Sequence, residues 1–264
     1  MRAVVRIGAN DMTFVDLETA LALPGLRLVV AAGVPSPWSQ VALTLIRFKK
    51  LPFHGTRTRA ADPAFQRWGA ARNLPAVLMD DEPIRTGWAE ILALAERLAP
   101  DAPLLPTDPR ERAHVMGLCH ELMSEGGLLW CARVVAIDLG LSTDGREGFP
   151  LQVAQYLAPR YGWTKTGVPR ALARATEGLA LLDAELAREQ GPYYAGDTMT
   201  ALDLYSAAAM NALVPLPDKD CPMAAPFRVA FTSMGRALGD AITPALLAHR
   251  DHVVARHIDL PIEL

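Results

Sequence analysis

The sequence predicts two joined domains, a small α+β domain with the element order βαβαββα followed by an all-α domain. Within residues 26–101, short apolar runs alternate with apolar stripes at helical spacing, which is typical of strands followed by helices. Four prolines within residues 100–109 indicate a stiff linker. Beyond residue 110 the apolar residues recur at helical spacing, which predicts helices alone.

The first strand and helix of the α+β domain organise the rest of the chain. Residues 28–32 are a continuous apolar run, which predicts a buried strand, and the glycine and prolines of residues 33–37 require a turn. Residues 41–48 carry an apolar stripe at i, i+4 and i+7, which predicts a helix packed on the sheet. Ser36 and Ser39 therefore lie where the helix begins, close to backbone N–H groups and the positive end of the helix dipole.

The remaining elements follow from similar patterns. In the α+β domain we expect strands at residues 54–59, 76–79 and 83–85 and helices starting at residue 62 and spanning 88–98. In the all-α domain we expect helices at residues 110–139, 150–158, 168–188, 201–213, 233–238 and 241–257. The first of these is weakened in the middle at Gly126-Gly127. The predicted boundaries are an N-terminal extension (1–25), the α+β domain (26–101), a linker (102–109) and the helical domain (110–264).

Composition narrows the classes of function. The net charge of -3 gives no reason to expect nucleic acid or an anionic membrane as a partner. Three cysteines without CxxC spacing argue against a disulfide framework or a zinc site. Without an apolar run of roughly 18–20 residues or a cleavable leader pattern, we expect a cytoplasmic protein with no membrane span.

Four segments together resemble the glutathione transferase superfamily. They are SPWSQV at residues 36–41, NLPAVL at 73–78, IRTGWAEI at 84–91 and YAGDTMTALD at 194–203. The last segment is similar to the family's Gly-Asp-x-x-Thr-x-x-Asp signature and is the most specific of the four. The resemblance implies a thioredoxin-like N-terminal domain, an all-helical C-terminal domain, glutathione as co-substrate and a homodimer.

The resemblance assigns roles to residues near the first helix and the third strand. Ser36 aligns with the residue that stabilises the glutathione thiolate, and Ser39 is an alternative because the register of this loop varies within the family. Leu74 precedes the family's cis-proline, here Pro75, and is expected to pair through its main chain with the cysteinyl part of glutathione.

The third segment departs from the family pattern. Where the family usually has an acidic residue followed by serine, this chain has Thr86 and Gly87. Thr86 keeps a hydroxyl and Gly87 keeps an N–H for the γ-glutamyl carboxylate, but the acidic partner of the γ-glutamyl ammonium is absent. Arg85 precedes them and is a candidate for binding a carboxylate.

Other residues of the helical domain have structural or acceptor-binding interpretations. Thr200 and Asp203 are expected to form a helix cap, with no catalytic role for Asp203. By their position in the chain, Trp130, Arg133 and Tyr161 are candidates for lining the acceptor pocket.

The segment HRDHVVARH contains three histidines near the end of the chain. His249 and His252 are spaced to share one helix face, but no third metal ligand follows from the spacing. The flanking Arg250 and Arg256 indicate a solvated face, so we expect no metal.

Two functions fit these patterns. The first is an enzyme that conjugates or thiolytically cleaves a small hydrophobic electrophile with glutathione, whose thiolate is stabilised by the Ser36 hydroxyl. The alternative is a non-catalytic transferase-fold module that binds a ligand or a protein, motivated by the missing acidic residue before Gly87. Serine rather than cysteine at position 36 argues against thiol–disulfide exchange.

Overall fold

The computed structural model describes residues 14–59, 62–67, 73–189 and 191–264. The chain forms two compact units, of which the first runs to Pro103 and includes Leu264, and the second spans Leu104–Glu263. The first unit combines a small sheet with helices, and the second is helical throughout its described elements. The predicted α+β domain followed by an all-α domain is confirmed.

The first unit contains three strands and four helices in its described part. In chain order they are α1 (Leu17–Ala22), β1 (Leu26–Ala31), α2 (Pro37–Phe48), β2 (Phe53–Thr58), α3 (Pro63–Arg67), β3 (Ala76–Met79) and α4 (Trp88–Leu98). The strand order is β2-β1-β3, with β1 parallel to β2 and antiparallel to β3. Parallel neighbours joined through a helix are the βαβ arrangement that the sequence pattern predicts.

The fourth predicted strand, residues 83–85, is present as a single bridging residue. The N–H of Arg85 donates to the carbonyl of Val77 at 2.9 Å, and the N–H of Val77 donates back at 2.8 Å. Pro83 has no N–H to extend this ladder in one direction. In the other direction the chain enters α4 at Trp88, so Arg85 alone continues the sheet.

The core of the first unit lies on the central strand. The side chains of Leu28, Val29 and Val30 have no exposed surface. Part of the predicted extension joins this core, because Leu17 of α1 belongs to the same apolar cluster as Val29. Just before α1, Phe14 bridges to Gly55 and extends the edge of the sheet beyond β2. The rest of the extension, residues 1–13, lies outside the described residues.

A buried lysine fixes the end of α2 to the end of α4. The side chain of Lys49 has no exposed surface, and its ammonium lies 2.7 Å from the carboxylate of Glu96. The same ammonium donates to the carbonyls of Ala99 and Ala102, at 3.0 and 2.6 Å. These carbonyls follow the last turn of α4, where backbone acceptors have no partner within the helix. Lys49 therefore satisfies them without water.

Replacing Lys49 by methionine should lower the free energy of unfolding by about 3 kcal/mol, because the cation is lost from a buried ion pair and two carbonyls. Chemical denaturation measures this loss. The matched control is Lys50→Met at the adjacent exposed position, which should change stability by less than about 0.5 kcal/mol. Equal effects of the two substitutions would show that the buried contacts of Lys49 add nothing to stability.

The second unit is built from seven α-helices in its described part. They are α5 (Pro109–Met123), α6 (Leu128–Ser142), α7 (Leu151–Leu157), α8 (Val168–Arg188), α9 (Ala201–Leu213), α10 (Ala225–Leu238) and α11 (Pro244–His257). The helix predicted for residues 110–139 is two helices, α5 and α6. A side chain at Gly127 would place its Cβ 2.4 Å from the Glu121 carbonyl, and Gly126 has a positive φ of 76°. The chain therefore turns sharply between α5 and α6.

Asp203 links the start of α9 to two other parts of the second unit. One carboxylate oxygen accepts hydrogen bonds from the Thr200 N–H at 2.7 Å and the Thr200 hydroxyl at 3.0 Å. The other accepts from the Tyr194 N–H at 3.0 Å and from Nε2 of His249 in α11 at 2.9 Å. Thr200 and Asp203 thus form the expected cap, and the carboxylate is fully buried.

An Asp203→Asn substitution should cost roughly 3–5 kcal/mol of stability, because an amide nitrogen cannot accept the bonds that one carboxylate oxygen now accepts. Thermal or urea unfolding measures this cost. Asp197 lies in the same segment with an exposed side chain, so Asp197→Asn is the matched control with little expected change. A stability loss for Asp203→Asn no greater than that control would contradict the central role of this carboxylate.

Candidate functional site

Ser36 stands at the N-terminus of the helix that follows the central strand. It is the N-cap residue of α2, with Pro37 at the first helical position, and it makes no side-chain hydrogen bond to the helix. Ser36 is 9% exposed. The first N–H groups of α2 and the positive end of its dipole face the same region. The arrangement can donate a hydrogen bond to an anion.

The alternative, Ser39, lies one turn further along α2. It is fully buried, and its hydroxyl has no partner among the described residues. A side chain without exposed surface cannot meet a ligand unless the helix moves. The geometry therefore favours Ser36 over Ser39.

The Leu74–Pro75 segment precedes β3 and has the predicted cis peptide bond. Pro75 is buried, and Leu74 packs against the cluster that contains Val29 and Phe65. The side chain of Leu74 thus belongs to the core of the first unit, which leaves its backbone as the part available to a ligand.

Arg85 has intramolecular partners in the structure. The guanidinium of Arg85 lies 2.7 Å from Glu82, and it donates to the Pro83 carbonyl at 3.1 Å. Glu82 also pairs with Arg97 at 2.6 Å, and hydrogen bonds from Arg97 and then Arg85 lower the pKa of its carboxyl. Arg85 therefore holds the turn before α4, a role that the sequence alone did not indicate.

At the start of α4, the Gly87 N–H already faces a carboxylate. It donates to Glu90 of its own helix at 3.3 Å, as in one half of a capping box. That bond is long and Glu90 is exposed, so a ligand carboxylate could replace it. Thr86 is half-buried beside it.

An apolar pocket lies between α2 and α4 of the first unit. Its lining residues are Trp38, Val41, Ala42, Leu45, Pro75, Thr86, Trp88 and Ile91. Sequence reasoning did not assign Trp38 and Trp88 to a site. Trp38 is the second residue of α2, two positions after Ser36, and Trp88 is the first residue of α4, directly after Gly87. That shared placement at a helix start was the available signal.

The predicted acceptor residues come together in the second unit. The rings of Trp130 and Tyr161 have centroids 4.2 Å apart at an interplanar angle of 38°. The guanidinium of Arg133 donates to the Tyr161 hydroxyl and lies 5.3 Å from the centre of that ring. All three residues are half-buried. The structure thus forms an aromatic and cationic cluster from α6 and the segment after α7.

The histidines of α11 have structural partners. His249 is 6% exposed and bonds to Asp203, while Arg250 is 8% exposed and donates to the Val214 carbonyl at 2.6 Å. The expected solvated face is therefore wrong for these two residues, because both reach back to α9 and the segment that follows it. Over the described parts of the chain, no group of three or more His, Cys, Asp or Glu side chains is placed to hold a metal ion.

Comparison with solved structures shows that this chain shares its fold with glutathione S-transferases. The β-etherase LigF from Sphingobium sp. strain SYK-6 matches with a TM-score of 0.63 at 18% identity, covering 88% of this chain and 96% of that one. A glutathione S-transferase domain-containing protein from Marinobacter aquaeolei VT8 matches with a TM-score of 0.62 at 17% identity, covering 88% and 100%. A glutathione S-transferase from Methylobacillus flagellatus KT, solved with GSH bound, has a TM-score of 0.59 at 14% identity, covering 88% and 96%.

No protein-family model and no curated protein sequence matches the chain. None of the helices in the described ranges has the length and apolar character to cross a membrane.

Two further histidines of α11 predict a pH dependence of stability. Burial lowers the pKa of His252 and His257 below the usual 6.5. Tyr193 packs on both rings, and its hydroxyl bonds to Nε2 of His257 at 2.7 Å. As the pH falls below 6.5, the unfolded chain takes up protons that the folded chain does not, so stability should decrease.

The measurement is the melting temperature between about pH 7.5 and pH 5.5. The double variant His252→Gln/His257→Gln should show a shallower decline than the wild type, whatever its absolute stability. A slope that is the same in both proteins would contradict the assignment to α11.

Proposed function

We propose that this chain is a glutathione-dependent enzyme in which the Ser36 hydroxyl stabilises the thiolate of bound glutathione. The observation that carries the proposal is the position of the Ser36 hydroxyl at the N-terminus of α2, where it makes no capping hydrogen bond. Support comes from the fold, which is shared with a structure that has GSH bound and with one named as a β-etherase. The reaction is conjugation or thiolytic cleavage of a small hydrophobic electrophile.

The chemistry requires glutathione as a thiolate, because the thiolate is the nucleophile. A free thiol of this kind has a pKa near 8.5. The Ser36 hydroxyl cannot remove the proton, but it donates a hydrogen bond to the sulfur anion, and the positive end of the α2 dipole adds to the stabilisation. Together these effects lower the thiol pKa by about one to two units, and the proton passes to solvent.

The thiolate sulfur then attacks an electrophilic carbon. A carbon–sulfur bond forms, and the bond from that carbon to its leaving atom breaks. The electron pair goes to the leaving atom, which takes a proton from water when it is oxygen. Conjugation and thiolytic cleavage share this step and differ in which fragment is the product of interest.

The tripeptide would be held by groups of the first unit. The proposed contacts are the Leu74 main chain, Pro75, the Thr86 hydroxyl and the Gly87 N–H, which would exchange its weak bond to Glu90 for a ligand carboxylate. Arg85 takes part indirectly, since its pairing with Glu82 shapes the turn that presents Thr86 and Gly87. No metal is required for this chemistry.

The acceptor substrate has two candidate aromatic surfaces, one in each unit. The first is the cluster of Trp130, Arg133 and Tyr161, and the second is the pocket that contains Trp38 and Trp88. Both offer ring faces to an apolar compound. We also propose a homodimer located in the cytoplasm, and light scattering of the purified protein tests the dimer.

Substituting Ser36 by alanine should raise the pKa of bound glutathione by about one to two units, since the hydrogen bond to sulfur is lost. Below that pKa the thiolate fraction falls tenfold per unit, so kcat near pH 6.5 should fall by roughly 10- to 100-fold. The thiolate absorbance in the ultraviolet and initial rates with a panel of electrophiles measure the two effects. At pH 6.5, where the bound thiol is at most about half ionised, glutathione affinity by calorimetry should change by no more than about twofold.

Ser39→Ala is the matched control, because it removes a hydroxyl of the same helix for which the described residues offer no hydrogen-bond partner. It should leave both the thiol pKa and kcat near wild-type values. The opposite ranking of the two variants would assign the role to Ser39. If the wild type shows neither calorimetric heat nor a thermal shift at about 10 mM glutathione, where binding to any useful site stabilises measurably, the proposal fails. The non-catalytic module would then replace it.

A further inference from the structure

The loop between β1 and α2 is poor in backbone donors where it carries Ser36. Pro35 and Pro37 flank Ser36 and have no N–H groups, so neither can donate to a neighbouring carbonyl. Both prolines are buried, and Ser36 itself is 9% exposed, so solvent has little access to this backbone. Because a buried carbonyl without a donor is costly, a donor for this loop has to come from another residue.

Gln40 of α2 supplies such a donor. Its side-chain amide nitrogen donates to the carbonyl of Pro35, the residue before Ser36. Its main-chain N–H donates to the carbonyl of Ser36 at 2.8 Å, which is an ordinary first-turn bond of the helix. One residue thus holds the peptide groups on both sides of Ser36. Gln40 is 3% exposed, so water competes little for these bonds.

A further bond closes the turn at Ser36. The N–H of Ser36 donates to the Val34 carbonyl at 2.7 Å, around Pro35, whose ring sets φ close to the value that such a three-residue turn needs. Pro37 restricts the residue before it to extended backbone, and Ser36 has φ −56° and ψ 133°. With both angles held, the direction of the Cα–Cβ bond is fixed, and the hydroxyl moves only by rotation about χ1.

We propose that Gln40 is a positioning residue for the proposed reaction: by holding the backbone on both sides of Ser36, it directs the Ser36 hydroxyl to the sulfur of bound glutathione. This role depends on the proposed function and adds to it a residue that acts through Ser36. Since Ser36 makes no capping bond to α2, the helix does not hold the hydroxyl directly, and the backbone sets its position. Hydrogen bonds weaken steeply with poor direction, and a misplacement of about 1 Å can remove much of a catalytic interaction.

The kinetic test is the substitution Gln40→Met, which keeps the length of the side chain and removes the donor. It should raise the pKa of bound glutathione by about 0.5–1 unit and lower kcat at pH 6.5 by roughly two- to tenfold, because the hydroxyl meets the sulfur in poorer geometry. In the Ser36→Ala background the same substitution should leave kcat within about twofold, since no hydroxyl remains to be positioned. A loss of equal size in both backgrounds would overturn the proposal, because Gln40 would then act independently of Ser36.

A control is needed because Gln40→Met removes a buried hydrogen bond and should also lower the melting temperature. Lys49→Met destabilises the same helix from its other end, where the ammonium bonds to the end of α4. The pKa of glutathione bound to Lys49→Met should equal that of the wild type. The same rise in both variants would assign the effect to general destabilisation and remove the positioning role.

A measurement on the wild type without glutathione tests the contact itself. Solvent exchange of the Gln40 side-chain amide protons, followed by NMR, should be at least about tenfold slower than that of Gln155, which is exposed on α7. Equal rates would show that the amide is not held by Pro35. The positioning role would then be wrong, even if Gln40→Met does not fold.

The outcomes separate this proposal from the proposed function. If the wild type binds glutathione and lowers its thiol pKa, and Gln40→Met lowers it equally, the proposed function stands and the positioning role is overturned. If the wild type does not bind glutathione, the proposed function fails and the positioning role fails with it, whatever the exchange rates are.

Discussion

The second unit depends on which groups accept hydrogen bonds from the backbone N–H groups at the start of its central helix, α9. All thirteen residues of α9 are buried, so water cannot serve the unpaired N–H groups at its first turn. The N–H of Ala201 instead donates to the Leu104 carbonyl at 2.8 Å, and the Asp203 carboxylate takes the Thr200 N–H. The same carboxylate also bonds to His249 of α11. One buried side chain therefore satisfies the start of α9 and also holds α11 in place.

In the first unit, the start of α2 lacks a side-chain cap of this kind. The N-cap hydroxyl of Ser36 makes no bond to its own helix, and one turn later the buried Ser39 hydroxyl lacks a partner among the described residues. The Asp203 carboxylate at the start of α9 accepts four hydrogen bonds, whereas the Ser36 hydroxyl does not cap α2. Departures from local rules of this kind are concentrated where proteins bind and react. The contrast between the two helices is therefore a reason to place function at α2.

Much of the fold follows from local patterns in the sequence. The helices α4 and α8 have the predicted bounds, because each carries a long apolar stripe that ends at a break in the pattern. The separation of α5 from α6 was predicted only as a weakening of one helix at Gly126-Gly127, since the full break depends on how closely Gly127 approaches the Glu121 carbonyl. Such an approach is a property of the folded backbone and leaves no periodic signal in the chain.

The candidate site, too, could be predicted only in part from the sequence. Ser36 follows from the pattern of strand, turn and helix, and the cap of Thr200 and Asp203 follows from their spacing. The pairing of Arg85 with Glu82 and the bond from His249 to Asp203 depend on side-chain directions that residue spacing does not specify. The pocket of Trp38 and Trp88 joins residues fifty positions apart, so it appears only when α2 and α4 pack together.

The buried ammonium of Lys49 restricts which sequences can share this fold. Three acceptors converge on one nitrogen, and an ammonium can direct its three N–H bonds to all of them. Arginine carries the same charge but spreads its donors over a rigid plane, so it cannot match acceptors that converge on a point. Few residues other than lysine can therefore occupy position 49. Even an arginine there would require further substitutions at the end of α4.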